Sequence, residues 1–259
     1  MSAKKQRLKK STRRKEEIEF LKNALCENGR AMEEGPKRKH WGNKDLKNIK
    51  PKTTAQEDLF HEWFNGKHLC ASGSAGTGKT FLAFYLALNE IFQQRASRIV
   101  VVRSAVATRE VGFLPGTLEE KTMMYELPYH DICWELVGRP STYQDMKDAG
   151  LIEFMTTSFV RGLTWDNSIV IIDEAQNMTF HEINSIMTRI GENTRIIITG
   201  DTKQTDLVDH KKHLGIEGMT QAMKIFENMG SFALVHFNQH DIVRSEFVKS
   251  WIVACEVKG

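Results

Sequence analysis

The chain has 259 residues, of which 41% are hydrophobic and 27% are charged, and this composition excludes a protein that is disordered along most of its length. No apolar run reaches the ~18 residues that a membrane-spanning helix needs. Four widely spaced cysteines without a CxxC pair exclude a zinc ribbon and argue against a disulfide scaffold. We therefore expect a folded cytoplasmic protein of a reducing compartment, without a membrane partner.

The charge is distributed unevenly along the chain, although the net charge is only +3. Residues 1–52 contain 17 Lys and Arg against 7 Asp and Glu, whereas residues 53–259 contain 19 against 26. We predict a basic, largely flexible N-terminal arm at 1–52, which can form a short helix at Glu16–Cys26, and a folded domain at 53–259. Such an arm is typical of sequence-independent binding to nucleic-acid phosphates, with Trp41 as a candidate for stacking on a base. The alternative is a solubilising tail.

In the second part of the chain, short β-branched apolar runs alternate with longer helical patterns. The runs predict strands at His68–Ser72, Arg98–Arg103, Ile152–Thr156, Ser168–Asp173, Arg195–Thr199 and Phe232–Phe237. The helical patterns predict helices at Lys79–Gln94, Thr179–Ile190, Gly218–Asn228 and Asp241–Glu256. Strands that are apolar on both faces are typical of a mostly parallel sheet covered by helices, so we predict a doubly wound α/β fold. The stretch Ser104–Gly150 is long and mixed, and is expected to be an insertion.

A phosphate-binding loop is predicted directly after the first strand. Glycines allow backbone N–H groups to surround a phosphate chain, and the helix that follows directs the positive end of its dipole to the same place. Lys79 would then reach the β- and γ-phosphates of a nucleotide, and the Thr80 hydroxyl would coordinate Mg²⁺. The pattern GxxxxGK[ST] is matched in full by Gly73, Ser74, Ala75, Gly76, Thr77, Gly78, Lys79 and Thr80.

Two further motifs follow apolar strands, at the sheet edge where ligands bind in such folds. The run Ile169–Gln176 ends its strand with Asp173, which can hold the Mg²⁺, and Glu174, which can act as general base for an attacking water. After the strand Arg195–Thr199 comes GDTKQ, in which Gln204 is expected to sense the γ-phosphate. Three phosphate-side motifs on one sheet predict a nucleoside triphosphate hydrolase.

These motifs resemble those of the PhoH family, a branch of P-loop ATPases related to the superfamily 1 helicases. The resemblance covers about Thr54–Glu256. It implies a RecA-like, three-layer α/β/α core with a mostly parallel sheet. It is carried by DEAQN at Asp173–Asn177, GD-x-x-Q at Gly200–Gln204, AGTGKT at Ala75–Thr80, GFLPG at Gly112–Gly116 and TRIG at Thr188–Gly191, of which the last two are specific to the family.

The resemblance also implies ATP and Mg²⁺ as cofactors, and coupling of hydrolysis to RNA or single-stranded DNA in a homo-oligomer, for which we favour a hexameric ring. The chain is similar to the single-domain form of bacteriophages and bacteria, which places it in the host cytoplasm if it is phage-encoded. The family's link to phosphate starvation describes when some relatives are expressed and implies no chemistry. Departures from the family pattern at Ser104, Met124 and Ser245–Glu246 leave the phosphate-binding residues untouched.

Fast hydrolysis needs a positive group at the transition state, which is worth about 10³–10⁵ in rate. Superfamily 1 helicases take this arginine from a second core domain, for which the chain has no length. We therefore expect either slow turnover or an arginine from a neighbouring subunit, with Arg244 as first choice and Arg189 and Arg161 as alternatives. Gln56 is a candidate for recognising adenine, as the equivalent glutamine does in related helicases. The alternative is a plain surface glutamine.

Two other functions stay open at this point. A P-loop kinase for a small molecule would not need Glu174 together with GD-x-x-Q, and it usually has an arginine-rich lid, which we do not find in the sequence. An ATP-switched protein that binds nucleic acid or orders an assembly, without motor activity, would use the same loop. Its binding to nucleic acid would persist in Glu174→Gln.

Overall fold

Six parallel strands form one sheet in the part of the chain that the structure describes, which is residues 41–104, 118–201 and 209–258 of a computed structural model. Their order across the sheet is β3-β2-β4-β5-β1-β6. The predicted strands are all confirmed, and β1 and β5 each extend one residue further, to a glycine. The strands are β1 His68–Gly73, β2 Arg98–Arg103, β3 Ile152–Thr156, β4 Ser168–Asp173, β5 Arg195–Gly200 and β6 Phe232–Phe237.

The α-helices of the same described ranges are α1 Thr54–Phe64, α2 Lys79–Phe92, α3 Leu118–Val137, α4 Thr142–Asp148, α5 Phe180–Met187, α6 Asp209–Glu227 and α7 Glu246–Lys258. The predicted helices are confirmed with shifted ends. The last one begins later than predicted because Gln239–Asp241 forms a separate 3₁₀ turn, capped by the Asn238 side chain. The predicted insertion, Ser104–Gly150, contains α3 and α4. None of the helices in these ranges is long and apolar enough to cross a lipid bilayer.

Strand residues alternate between two hydrophobic cores, one on each face of the sheet. On one face, Leu69, Val101 and Ile171 pack with side chains of α1, α2, α3 and α4. On the other face, Cys70 and Val170 pack with side chains of α5 and α6. Because both faces are covered by helices, the central residues of β2, β4 and β5 are apolar and buried on both faces. The result is the expected RecA-like, three-layer α/β/α fold.

Trp41 belongs to the folded domain, which corrects two sequence-based expectations. Its side chain is only 7% exposed, stacks on Phe92 with ring centroids 6.0 Å apart, and lies under the Arg139 guanidinium. Leu46 and Ile49 also pack against this core. Trp41 is therefore not available for stacking on a base, and the domain begins at or before Trp41 instead of at Thr53. The helix predicted at Glu16–Cys26 lies outside the described residues.

The strand order brings the ends of four neighbouring strands, β2, β4, β5 and β1, to one edge of the sheet. Arg103 of β2 is the register partner of Asp173 of β4, and Ser72 of β1 is the partner of Gly200 of β5. Since the carboxyl ends of parallel strands lie at the same edge, all three sequence motifs begin at this edge.

Candidate nucleotide site

The phosphate loop joins β1 to α2 and is fixed to the neighbouring strand β6. The Ser74 N–H donates to the Phe237 carbonyl over 3.0 Å. Gly73 has a φ of +119°, and a Cβ at this position would lie 1.8 Å from the same Phe237 oxygen. A side chain at Gly73 would therefore push the loop away from β6, so this glycine is required by both conformation and space.

Lys79 lies over the loop that precedes it. Its Nζ donates to the Gly73 and Ser74 carbonyls, each over 2.7 Å. The Thr77 hydroxyl also donates to the Ser74 carbonyl, at 3.0 Å. The loop ends at Gly78, where α2 starts with N–H groups that have no partner within the helix. An ammonium group and a helix N-terminus at one place form an anion site of the kind that binds nucleotide phosphates.

The Asp173 carboxylate accepts hydrogen bonds from hydroxyl groups on three different elements. Thr80, at the start of α2, donates to Oδ1 over 2.8 Å, and Thr199 of β5 donates to the same oxygen over 2.5 Å. Tyr129 of α3 donates to Oδ2 over 2.8 Å. The structure thus brings Thr80 and Asp173 together, as the sequence predicted. Hydroxyl and carboxylate oxygens are the ligands that Mg²⁺ prefers, so this pair fits the expected metal.

Glu174 follows directly and has an unusual backbone conformation, with φ +53° and ψ +45°. A non-glycine residue in this left-handed region carries a strain of about 1–3 kcal/mol, which the surrounding structure has to offset. The Glu174 carboxylate accepts a hydrogen bond from the Gln176 side chain. Burial and the adjacent Asp173 charge raise the pKa of Glu174, while Gln176, Arg103 and Lys79 act in the opposite direction. A carboxylate with a raised pKa is suited to accept a proton.

Gln176 connects the motif after β4 to the motif after β5. Its Oε1 accepts a hydrogen bond from the Asp201 N–H over 3.0 Å, while its Nε2 donates to Glu174. Gln176 and Asp201 are both buried. One amide side chain therefore holds the predicted base and the GD motif in a fixed relation. Gln204, the predicted γ-phosphate sensor, lies outside the described residues, and its role stays a prediction.

The segment before α7 packs on the phosphate loop. The Val243 N–H donates to the Gly76 carbonyl over 3.0 Å. A Cβ at Gly76, whose φ is +74°, would lie 3.1 Å from the Arg244 Cγ and 3.2 Å from the Ile252 Cδ1. Arg244 is itself exposed. The first-choice arginine therefore lies beside the phosphate loop of its own chain, and a role in a neighbouring site stays a prediction.

The other two candidate arginines lie elsewhere. The Arg189 carbonyl accepts from the Trp165 N–H just before β4, at the sheet edge opposite to the nucleotide motifs. Arg161 is exposed and follows the 3₁₀ turn Thr157–Phe159 after β3. Neither is brought to the phosphate loop of its own chain.

Gln56 is buried, with 4% of its surface exposed, so the surface-glutamine alternative is wrong. Its Nε2 donates to the Thr77 carbonyl over 3.0 Å, and its Oε1 accepts from the Lys52 N–H over 2.9 Å. Gln56 thus holds the phosphate loop against the segment that leads into α1. Its position next to the loop is compatible with a contact to the base, which stays a prediction.

Sequence reasoning assigned no role to Tyr129 or Arg103. The Arg103 guanidinium lies 5.6 Å from the centre of the Tyr125 ring. Burial acts to lower the pKa of Arg103, but the surrounding Tyr129, Asp173 and Glu174 together have the larger effect and raise this pKa. Arg103 could have been found from its place as the last residue of the strand next to β4. Tyr129 comes from the insertion, where no local pattern indicates a site.

Comparison with known proteins gives a consistent family assignment. A family model described as PhoH-like protein matches residues 48–256. A PhoH-like protein of Synechocystis sp. is 37% identical over 185 residues, which are 71% of this chain and 55% of that protein. A PhoH-like protein of Bacillus subtilis is 33% identical over 209 residues, which are 80% of this chain and 64% of that protein. The Escherichia coli Protein PhoH is 34% identical over 178 residues, 68% of this chain and 49% of that protein.

The chain thus spans about half to two thirds of the length of these curated relatives. Among solved structures, the Sulfolobus solfataricus SWI2/SNF2 ATPase core in complex with dsDNA aligns with a TM-score of 0.39 and 12% sequence identity. That alignment covers 74% of this chain and 45% of the solved one.

Proposed function

This chain belongs to the family of PhoH-like proteins and is a P-loop NTPase, and from this premise we propose that it hydrolyses ATP in the presence of Mg²⁺. The observation that carries the proposal is the contact between Thr80 and Asp173, 2.8 Å apart, with Glu174 next in the chain and Lys79 over the phosphate loop. These are the parts that phosphoryl transfer to water requires: an anion site, hard oxygen ligands and a base.

Each residue has a distinct task in this mechanism. The loop N–H groups and Lys79 bind and orient the β- and γ-phosphates, and Thr80 and Asp173 hold the Mg²⁺. Bound Mg²⁺ would neutralise the negative charge that develops on the phosphate oxygens. Glu174 accepts the proton of the attacking water, and the Gln176 hydrogen bond keeps its carboxylate in place.

We further propose that hydrolysis is coupled to RNA or single-stranded DNA. Residues 1–40 contain 13 Lys and Arg against 6 Asp and Glu, which is the charge pattern of a sequence-independent phosphate binder. Neutralising several phosphates makes affinity fall steeply with salt concentration. Deleting residues 1–40 should therefore weaken binding to single-stranded RNA and reduce its salt dependence, without changing ATP binding at the folded domain.

The active species is proposed to be a homo-oligomeric ring, in which subunits meet near the nucleotide. In support, α7 exposes Phe247 and Trp251, at 79% and 65%, on the same helix whose Ile252 approaches the phosphate loop. Large exposed apolar side chains in close proximity are typical of protein–protein interfaces. Trp251→Ala should reduce the oligomeric mass in solution, whereas Trp134→Ala, a tryptophan 52% exposed on α3, should not.

The decisive experiment is steady-state phosphate release across a protein dilution series, with and without single-stranded RNA. Wild type is compared with Glu174→Gln, Arg244→Ala, Arg189→Ala and Arg161→Ala. We expect phosphate release that needs Mg²⁺, is lost in Glu174→Gln and rises with protein concentration and RNA. Transfer of phosphate to an added small molecule instead of water would favour the kinase alternative.

Mixing inactive variants then separates the two places in which Arg244 can act. If Arg244 serves a neighbouring site, Arg244→Ala regains turnover when mixed with Lys79→Ala, because one mixed interface has all the required residues. If Arg244 serves the loop of its own chain, beside which it lies, the mixture stays inactive. Activity per subunit that does not change with dilution or with RNA contradicts the ring and favours an ATP-operated switch.

A further inference from the structure

Tyr129 connects the insertion to the candidate metal site through one buried hydrogen bond. Its hydroxyl donates to the Asp173 Oδ2 over 2.8 Å, and the side chain has no exposed surface. The ring stacks on Phe84 of α2, with centroids 5.0 Å apart, and lies at 6.0 Å from the Phe154 ring of β3. Rings from two other elements thus fix where the Tyr129 hydroxyl points.

The two oxygens of Asp173 have different partners. Thr80 and Thr199 donate to Oδ1, whereas Tyr129 donates to Oδ2. A carboxylate can rotate about its last bond, and this rotation sets the plane of the two oxygens and thus whether one of them points at Thr80. A donor held rigidly on Oδ2 keeps Oδ1 beside the Thr80 hydroxyl, where both oxygens can reach one cation.

Tyr129 is suited to act as a permanent donor. Its hydroxyl must be the donor in the bond to Asp173, because an ionised carboxylate can only accept. Arg103 also interacts with Tyr129. Since a guanidinium has no acceptor atom, Arg103 does not compete with Asp173 for the phenol proton.

We propose that Tyr129 is a positioning residue, which orients the Asp173 carboxylate so that Asp173 and Thr80 form a pair of ligands for the divalent cation of the bound nucleotide. This inference rests on the proposed Mg²⁺-nucleotide site and adds a residue to it. Partners that orient a ligand typically change metal affinity by about 10- to 100-fold when they are removed.

The chain offers a closely matched control for Tyr129. Tyr143 is equally buried, its ring lies 6.5 Å from that of Tyr129, and its hydroxyl donates to the Glu126 carboxylate over 2.7 Å. Tyr129→Phe and Tyr143→Phe therefore delete the same group, in the same aromatic cluster, from a bond to the same type of acceptor. They differ in whether that acceptor is the proposed metal ligand.

The test is Mn²⁺ binding by the protein with ADP, followed by the electron paramagnetic resonance signal of free Mn²⁺, after subtraction of the Mn²⁺ that the same concentration of ADP binds without protein. We expect the dissociation constant of Mn²⁺ to rise about tenfold in Tyr129→Phe and to stay unchanged in Tyr143→Phe. ADP binding in EDTA should be equal in both variants and wild type. The Mg²⁺ concentration for half-maximal hydrolysis should shift by the same factor, with kcat at saturating Mg²⁺ close to wild type.

Each outcome decides one point. Equal Mn²⁺ affinity in wild type and Tyr129→Phe, or an equal loss in Tyr129→Phe and Tyr143→Phe, overturns the inference and leaves the proposed function intact. A Tyr129→Phe protein that does not fold, judged by circular dichroism, while Tyr143→Phe folds, also overturns it, because the hydroxyl is then a folding requirement. If wild type with ADP binds no Mn²⁺, the proposed function itself is wrong.

Discussion

The Thr80 hydroxyl donates to the Asp173 carboxylate over 2.8 Å, although 93 residues separate them in the chain. Asp173 ends β4, and Thr80 follows β1 through the phosphate loop; these two strands are not neighbours, because β5 lies between them. Thr199, the residue of β5 that precedes its last glycine, donates to the same carboxylate. The phosphate loop and the acidic motif are thus connected through the strand between them, and the two oxygen ligands are positioned by the sheet itself.

Glu174→Gln is expected to separate nucleotide binding from hydrolysis. The amide has the shape of the carboxylate but cannot accept the proton of water, so phosphate release should fall by about 10²- to 10⁴-fold. Binding of a fluorescent ATP analogue should be retained, because Lys79 and the phosphate loop are unchanged. The exposed Glu135→Gln is the control and should hydrolyse ATP like wild type. A Glu174→Gln protein that keeps its turnover would show that another group accepts the proton.

The strands and the phosphate-side residues could be predicted because both depend on short stretches of sequence. An apolar run followed by Asp173 and Glu174 predicts a buried strand with acids at its end, and parallel strands bring such ends to one edge. Lys79 and Thr80 follow a complete loop pattern. The contact between Thr80 and Asp173 could therefore be expected before any coordinates were known.

The remaining residues could not be predicted, because their roles depend on tertiary packing. Tyr129 lies in a mixed stretch, and its partner Asp173 is 44 residues further along the chain. Trp41 stands alone in a polar, glycine-containing stretch, which is typical of a linker, and its burial depends on Phe92 and Arg139 far along the chain. Gln56 could not be distinguished from a surface residue because its partner is a loop carbonyl.

Gln56→Leu tests whether the buried amide recognises adenine or only holds the phosphate loop. Removing it leaves the Thr77 carbonyl and Lys52 N–H without this partner, so the free energy of unfolding should fall by about 1–3 kcal/mol. We expect the preference for ATP over GTP, measured by competition binding, to be lost as well. An equal loss of affinity for both nucleotides would limit Gln56 to holding the loop. Gln144→Leu, on the surface of α4, is the control.

The stability of the fold should depend on the protonation of His68. Its Nδ1 accepts the Ile196 N–H over 3.2 Å, a bond that requires this nitrogen to be unprotonated. Burial and the Arg195 charge lower the pKa of His68 below the ordinary value of 6.5. The folded state therefore binds this proton less readily than the unfolded chain does. The stabilising effect of unprotonated His68 is complete above pH 6.5 and is lost as the pH falls below this value.

Urea unfolding of wild type, His68→Gln and His240→Gln at pH 8 and pH 5 measures this effect. Wild type should lose unfolding free energy at pH 5, and His68→Gln should lose less, because an amide does not titrate. His240 is exposed, so His240→Gln should behave like wild type. If His68→Gln and wild type show the same pH dependence, the titrating group lies elsewhere in the protein.

Truncation at two positions tests where the folded domain begins. Trp41 stacks on Phe92, and Leu46 and Ile49 pack against the same core, whereas the charge pattern alone placed all residues up to Lys52 in the arm. A chain that starts at Trp41 should therefore keep the unfolding free energy of the full chain. A chain that starts at Thr53 should lose more unfolding free energy than the cost of removing one buried tryptophan. That cost alone is about 3–5 kcal/mol.

Trp41→Ala in the full chain separates this packing from nucleic-acid binding. Because Trp41 is buried, the substitution should lower the free energy of unfolding by about 3–5 kcal/mol and leave affinity for single-stranded RNA unchanged at a temperature where the variant is folded. Trp251→Ala, at an exposed position on α7, should change the unfolding free energy of the monomer by less than about 0.5 kcal/mol. Loss of RNA affinity in folded Trp41→Ala would instead mean that the ring leaves the core to stack on a base, and that its contact with Phe92 is replaced on binding.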